Sequence, residues 1–126
     1  MRAVDTNVLL RILTRDDSRQ VAAAEAFIGE GAWVSTLALA EVAWVLGAVY
    51  RQAPDQVITA VTMLLEHRDL TLQDADAVAD ALNVFRQHPV LGFSDCLILA
   101  LARKAGHLPL GTFDRALGKA EGARKL

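Results

Sequence analysis

Apolar residues recur along the chain in two patterns, short runs and longer stretches with helical spacing. The short runs at 2–5, 32–35, 69–72 and 108–114 have the length and composition of strands. In the longer stretches apolar residues recur three and four positions apart, which is typical of amphipathic helices. The predicted helices occupy 7–14, 16–31, 36–53, 54–68, 74–88 and 94–106.

Residues that favour helix ends delimit these segments. Pro54 ends one predicted helix and can occupy the first position of the next, because proline lacks the N–H that a helix interior needs. Asp and Ser favour helix starts, and Gly favours helix ends. The other predicted boundaries are an N-cap at Asp17 or Ser18, a stop at Gly29 or Gly31, an N-cap at Asp74 and a stop at Gly106.

Strands separated by helices of ten or more residues predict a parallel sheet flanked by helices, an α/β fold. In open sheets of this kind, ligands bind just outside the carboxyl ends of the strands. Asp5 follows the first predicted strand and Asp114 closes the last. Both carboxylates are therefore expected near the ligand-binding edge.

Composition indicates one folded domain over residues 1–126. The chain is 53% hydrophobic and 22% charged, and it has no linker, repeat or low-complexity segment. Cys96 is the single cysteine, so no internal disulfide forms, and the N-terminus has no signal-peptide pattern; we expect a cytoplasmic protein. The apolar stretch 33–50 carries Glu41 at its centre, where a charge costs about 3 kcal/mol in a membrane, so we expect a buried helix and no membrane span.

Two acidic residues lie in strongly apolar surroundings. Four apolar residues flank Glu41 on either side, and seven follow Asp95, so neither looks like part of a solvated helix face. With Asp5 and Asp114 they make four acids that stand out from the remaining acids, which we interpret as surface charges or caps. Clustered carboxylates repel one another unless a cation compensates them, and oxygen ligands suit Mg²⁺ or Mn²⁺. His67, His88 and His107 show no metal-ligand spacing, which disfavours zinc.

Each of these acids also has a purely structural interpretation. Asp5, Asp95 and Asp114 can each cap the helix that follows. A buried Glu41 can be neutralised by an arginine instead of a metal ion. A divalent ion held by such acids would suit the hydrolysis of phosphate esters or phosphodiesters.

The net charge of −2 provides no overall attraction for nucleic acid, so any contact with a phosphate backbone depends on local cations. Arg11 and Arg15 lie one helical turn apart beyond Asp5, and Arg115 directly follows Asp114. We interpret these arginines as candidate RNA-backbone ligands. The alternative is that they are ordinary solvated side chains.

Four segments in order carry a resemblance to a known family: "VDTN", Glu41 within "STLALAEVAWVL", "GFSDCLILALARKAG" and "GTFDRAL". Together they closely resemble the PIN-domain nucleases, especially the VapC-type toxins of bacterial toxin–antitoxin pairs, over nearly the whole chain. The resemblance implies a three-layer α/β/α fold with a central parallel sheet, and Mg²⁺- or Mn²⁺-dependent cleavage of single-stranded RNA. Carried over, it assigns Asp5, Glu41, Asp95 and Asp114 as the catalytic acids and metal ligands, with Asn7 and Thr112 supporting them.

The resemblance also implies partners. It implies a homodimer and a cognate antitoxin whose tail blocks the acidic pocket. Cys96 departs from the family pattern, since a small residue such as alanine is more usual there, and we expect it to be a packed core thiol.

Other functions remain open on the sequence. A phosphohydrolase with an aspartate as phosphoryl acceptor commonly has two aspartates flanking one residue after the first strand, whereas here Asn7 takes the second place. A degenerate PIN-like module could bind RNA or a protein without cutting, and a PIN nuclease could serve RNA processing instead of toxicity.

Overall fold

Strands and helices alternate along the computed structural model, which describes residues 1–126. The chain divides into two compact units, Met1–Ala75 and Asp76–Leu126. The elements up to the division are β1 (Arg2–Val4), α1 (Thr6–Thr14), α2 (Ser18–Ile28), β2 (Ala32–Val34), α3 (Thr36–Ala48), α4 (Pro54–Glu66) and β3 (Leu70–Leu72). The later elements are α5 (Ala75–Gln87), a 3₁₀ turn (Pro89–Leu91), α6 (Phe93–Ala105), β4 (Leu110–Thr112), a second 3₁₀ turn (Leu117–Lys119) and β5 (Ala123–Lys125).

The first unit contains a three-stranded parallel sheet with β2 in the middle. Ala32 is in register with Arg2 of β1 on one side and with Leu70 of β3 on the other. Ala32 and Val34 are buried while Trp33 between them is exposed, because successive side chains of a strand point to opposite faces. Each parallel connection runs through two helices, as the alternation of strand and helix patterns predicts.

Side chains cap helix starts of the first unit, and the cap at Asp17 is one that the sequence predicts. The side chain of Asp17 accepts a hydrogen bond from the third backbone N–H of α2, and Ser35 does the same for α3. Pro54 occupies the first position of α4, as predicted. These local choices set where each helix leaves the sheet.

The predicted end of α3 at residue 53 is wrong, because the helix ends at Ala48. The N–H of Gln52 turns back to the carbonyl of Leu46, and Arg51 has a φ of 55° in the left-handed region. Since a residue before proline disfavours the helical conformation, the chain must leave α3 before Pro54 begins α4.

The second unit is built on α5 and α6. The rings of Phe85 and Phe93 meet edge to face with centroids 6.2 Å apart, across the turn that joins the two helices. Gly106 ends α6 in the left-handed conformation, as predicted. Asp74, the predicted N-cap, directly precedes the first residue of α5, and its φ of 50° lies in the left-handed region.

A parallel pair of short strands, β4 and β5, completes the second unit. The sequence of the tail after the 3₁₀ turn gives no indication of a strand, because this segment has no apolar run. Gly118 permits the close approach of that turn to β5: a Cβ at this position would lie 2.7 Å from the Cβ of Lys125. The strand thus depends on its partner and on a glycine, which periodicity does not detect.

None of the helices is long and apolar enough to cross a membrane.

Candidate active site

Asp5 lies where β1 ends and α1 begins. Its backbone is extended, and its Oδ1 accepts a hydrogen bond of 3.1 Å from the N–H of Val8. The capping role that the sequence offered as a structural alternative is therefore present. The cap uses one carboxylate oxygen, so the second oxygen of this exposed side chain remains available to a ligand.

Glu41 is exposed in the middle of α3, so the expected burial of this carboxylate is wrong. Leu37 and Trp44, four and three positions away, are exposed as well, so Glu41 lies on a helix face that is open to solvent despite its apolar sequence. Its buried neighbours in sequence, among them Leu39 and Val42, project from other sides of the helix. The alternative of a buried pair between Glu41 and an arginine is not formed either.

Thr6 joins the two acids of the first unit. Its Oγ1 donates a hydrogen bond of 2.7 Å to Oε2 of Glu41, from α1 to α3. Because Thr6 directly follows Asp5, this contact brings the first two predicted acids into one neighbourhood. Sequence reasoning missed Thr6; the signal was its place inside the polar "DTN" trio. Asn7, the predicted supporting residue, is exposed and makes no side-chain hydrogen bond within the protein.

Asp95 and Asp114 form a second acidic neighbourhood in the second unit. Asp95 is half-buried in the first turn of α6. The N-cap of this helix is Gly92, so the structural interpretation of Asp95 as the cap is wrong. Burial, and then the negative charge of Asp114, raise the pKa of Asp95 above its ordinary value. The charge of Asp114 thus acts on the carboxylate of Asp95 within the second unit.

Two hydrogen bonds hold Asp114 directly after β4. Its backbone N–H donates to Oγ1 of Thr112 at 3.0 Å, and its Oδ1 accepts from the N–H of Leu117 at 2.8 Å. Asp114 thus binds the first N–H of the 3₁₀ turn, although the N-cap residue of that turn is Ala116. Thr112 fixes the backbone at the acid, a contact that suits the supporting role the resemblance gave it.

The three candidate arginines differ in how they are engaged. Arg11 donates to Gln20 at 2.6 Å and to Asp16 at 2.7 Å, and Arg15 pairs with Glu25 at 2.8 Å. Arg115 is exposed and forms no ion pair. Of the three, only Arg115 presents a guanidinium that no carboxylate of the protein neutralises.

The four acids share an electrostatic property. None of them pairs with a lysine, arginine or histidine, whereas Asp16, Glu25 and Asp76 each do. Within neither unit are three His, Cys, Asp or Glu side chains grouped so that they could hold a metal ion. Each unit instead supplies one pair of acids with oxygen donors only and a neighbouring threonine. This donor chemistry fits Mg²⁺ or Mn²⁺ and not zinc.

Cys96, next to Asp95 in sequence, is the buried core thiol that we expect. Burial, and then the charge of Asp95, raise the pKa of Cys96 to about 11. A thiol with such a pKa is protonated at neutral pH and is not a nucleophile. Cys96 therefore contributes packing beneath the start of α6.

The family model described as PIN domain matches residues 2–123. No curated protein and no solved structure gives a significant match. The family match confirms the expected class, an α/β protein of the three-layer α/β/α PIN type with parallel strands. PIN domains are generally nucleases that act on nucleic acid and need divalent metal ions such as Mg²⁺. With almost its whole length matched, the chain belongs to the PIN domain family.

Proposed function

We propose that residues 1–126 form a single nuclease domain that hydrolyses phosphodiester bonds within single-stranded RNA, with Mg²⁺ or Mn²⁺ as cofactor. Family membership supports the nuclease class. The observation that carries the proposal is the pairing of acids: Asp5 with Glu41 through Thr6, and Asp95 with Asp114, all without a cationic partner in the protein. Burial and the charge of Asp114 raise the pKa of Asp95, and a bound cation would favour its ionised form.

The proposed roles of the acids follow the resemblance of the four acidic segments to PIN-domain nucleases. By that resemblance, Asp5, Glu41 and Asp95 would hold the metal ion directly or through water, and Asp114 would complete the acidic set. A divalent ion bound in this way supplies charge neutralisation at the phosphate and lowers the pKa of a coordinated water. Thr6 fixes the carboxylate of Glu41 by donating to it, and Thr112 fixes the backbone of Asp114. Asn7 supports the set from the first turn of α1.

RNA contacts in this proposal come from arginines beside the acids. Arg115 is the strongest candidate, because it directly follows Asp114 and has no carboxylate partner. Arg11 and Arg15 would bind phosphates only by exchanging their present partners, Asp16 and Glu25. Exchange of an exposed ion pair for a phosphate costs little, since such pairs contribute about 0–1 kcal/mol.

The biological part of the proposal is a cytoplasmic toxin of a toxin–antitoxin pair, acting as a homodimer and restrained by a cognate antitoxin. The resemblance of the four acidic segments to VapC-type toxins supports it. Exposed apolar side chains also support a protein partner: Leu37 is 71% and Trp44 65% exposed on α3. Large apolar side chains on one helix face are typical of interaction surfaces.

The test is cleavage of an end-labelled single-stranded RNA by the purified protein with Mg²⁺, with Mn²⁺ and with EDTA. We expect cutting with either metal, none with EDTA, and none for Asp95→Asn. Asp80→Asn is the matched control, because Asp80 is an exposed acid on α5 without an ion pair. Equal activity of Asp95→Asn and wild type would remove Asp95 from the site. RNA binding without any cutting would instead favour a non-catalytic binding module.

A further inference from the structure

A cavity of about 610 Å³ lies in the second unit, between the end of α5, the turn after it, α6 and the segment that follows Asp114. Its volume is within the range of small-molecule sites, about 300–1,000 Å³. Aliphatic side chains of Val84, Leu91 and Leu99 form apolar walls. Arg103 and Lys119 also line the cavity and add positive charge.

The cavity lies on the same face of α6 as Asp95. Asp95, Leu99 and Arg103 are spaced four residues apart, so their side chains project from one side of the helix. Asp95 and Arg103 are separated along the axis by about 12 Å, from a rise of about 1.5 Å per residue. The opposite wall begins at Ala116, two residues after Asp114. The second acidic pair and the cavity therefore share the same two structural elements.

Arg103 is held in place at the cavity. One of its terminal nitrogens donates to the carbonyl oxygen of Glu121 at 2.9 Å. The following residue, Gly122, has a φ of 91°, and a Cβ there would lie 2.8 Å from the same nitrogen. The glycine thus makes room for the guanidinium, which keeps its other N–H donors for a ligand because it has five in total.

The lining charges favour an anion. Arg103 and Lys119 contribute two positive charges to the lining and Glu121 one negative charge. The whole chain has a net charge of −2, so this positive lining is a local feature. A ligand that fits must combine a negative group with a flat or apolar body.

We propose that this cavity binds one nucleotide of the single-stranded RNA substrate, with its phosphate at Arg103 and Lys119 and its base against Val84, Leu91 and Leu99. The proposal rests on the nuclease function proposed above. Proteins that bind single-stranded RNA take unstacked bases into pockets and hold the backbone with cations. The shared face of α6 leads from this pocket to Asp95, which favours RNA over an acidic protein segment as its occupant.

The test measures RNA binding in EDTA, so it does not depend on cleavage. Fluorescence anisotropy of a labelled ten-nucleotide single-stranded RNA gives Kd at several salt concentrations for Lys119→Gln and for Arg124→Gln. Arg124 is a matched control, because it is exposed in β5 of the same unit and does not line the cavity. Removal of one cation from the phosphate backbone lowers the slope of log Kd against log salt by about 0.7. We expect that decrease, with a several-fold weaker Kd, for Lys119→Gln only.

A direct localisation accompanies the binding assay. RNA carrying 4-thiouridine, irradiated in complex with the wild-type protein, is expected to cross-link within Val84–Leu91 or at Leu99. Equal Kd values and slopes for Lys119→Gln and Arg124→Gln, or cross-links confined to other residues, would overturn the proposal. Thermal unfolding of each variant shows whether a change in Kd reflects loss of the fold.

Failure of the nuclease function is distinguishable from failure of the nucleotide pocket. Wild-type protein that binds RNA in EDTA but never cuts contradicts the nuclease function. In that case the Kd values and salt slopes of Lys119→Gln and Arg124→Gln still test the nucleotide pocket. Cleavage with an unchanged salt slope for Lys119→Gln contradicts the pocket alone. An oligoglutamate peptide provides the alternative occupant. If it binds wild type but not Lys119→Gln while RNA binding is unchanged, the cavity binds an acidic protein segment and the proposal of a nucleotide pocket is overturned.

Discussion

The hydroxyl of Thr6 donates to the carboxylate of Glu41 at 2.7 Å, linking the first residue of α1 to the middle of α3. Thr6, which the sequence analysis did not select as a site residue, therefore lies beside Asp5 and Glu41, which it did select. Asp5 precedes Thr6, so the orientation of α1 fixes both the capping carboxylate and the donor to Glu41. The first acidic pair is therefore a product of helix packing, and its geometry depends on one hydroxyl group.

Thr6→Val should reduce metal-dependent cleavage about tenfold or more, because partners that orient metal ligands typically contribute 10–100-fold. Stability should fall by about 1 kcal/mol, the typical worth of one hydrogen bond. Thr6→Ser keeps the hydroxyl and should retain most of the activity. Cleavage rates as a function of Mg²⁺ concentration distinguish weaker metal binding from misfolding. Equal metal dependence for Thr6→Val and wild type would show that the contact is only structural.

Glu41→Gln should leave stability nearly unchanged and abolish most of the activity. Glu41 is exposed, and substitutions of exposed side chains away from the core usually change the free energy of unfolding by no more than about 0.5 kcal/mol. Loss of a ligand charge should lower cleavage by more than about 100-fold, beyond the effect of an orienting partner. Glu66→Gln, an exposed acid at the end of α4, is the matched control. Full activity of Glu41→Gln would exclude Glu41 from the metal site.

Much of this architecture is readable from local sequence, and the exceptions have physical reasons. Asp17, Pro54 and Gly106 mark their helix ends as predicted, because capping and backbone restrictions act within a few residues. The exposure of Glu41 escapes prediction, since an apolar neighbourhood in sequence does not say which face of a helix is covered. β5 escapes it as well, because its pairing with β4 is a tertiary contact.

The candidate site shows the same division between local and tertiary information. Asp5 and Asp114 each follow a parallel strand, as predicted, but β1 and β4 belong to different sheets, so the rule that ligands collect at the carboxyl ends of one sheet does not bring the two acids together. The hydrogen bond from Thr6, the ion pair that engages Arg11 and the cavity beside α6 depend on side chains distant in sequence. No periodicity or capping rule reports such contacts.

Asp16 should titrate below its ordinary value and stabilise the protein only while ionised. Hydrogen bonds from Thr14, then from Arg11, and from Tyr50, lower its pKa. A depressed folded-state pKa stabilises the fold above the unfolded value of 3.8, and the contribution is lost as pH falls through the lower folded value. The Tm difference between wild type and Asp16→Asn should therefore be constant from pH 7 to about 5 and shrink below 3.8. A difference that grows on acidification would contradict this sign.

The Cys96 thiol should resist modification in the native state. It is 1% exposed and its pKa is about 11, so thiolate is scarce at pH 8 and reagent has no access. Reaction with Ellman's reagent should be slow without denaturant and rapid in guanidinium chloride. Because opening must precede reaction, the native rate reports local or global unfolding around α6. Rapid native labelling would show that α6 opens readily and would contradict a core role.

Two glycines should respond to alanine in opposite directions. Gly122 has a φ of 91° and lies where a Cβ would come within 2.8 Å of Arg103, so Gly122→Ala combines backbone strain with a displaced guanidinium. It should destabilise the protein by more than about 1 kcal/mol.

Gly47 lies in α3, and a Cβ there meets no atom within 4 Å. Gly47→Ala should therefore stabilise the fold by about 0.5–1 kcal/mol, since glycine in a helix loses more conformational freedom than alanine. Urea unfolding of both variants measures the two changes against one reference. Destabilisation by Gly47→Ala would mean that this side of α3 is covered in solution, which in the purified protein would place a second copy of the chain on the face that carries Trp44.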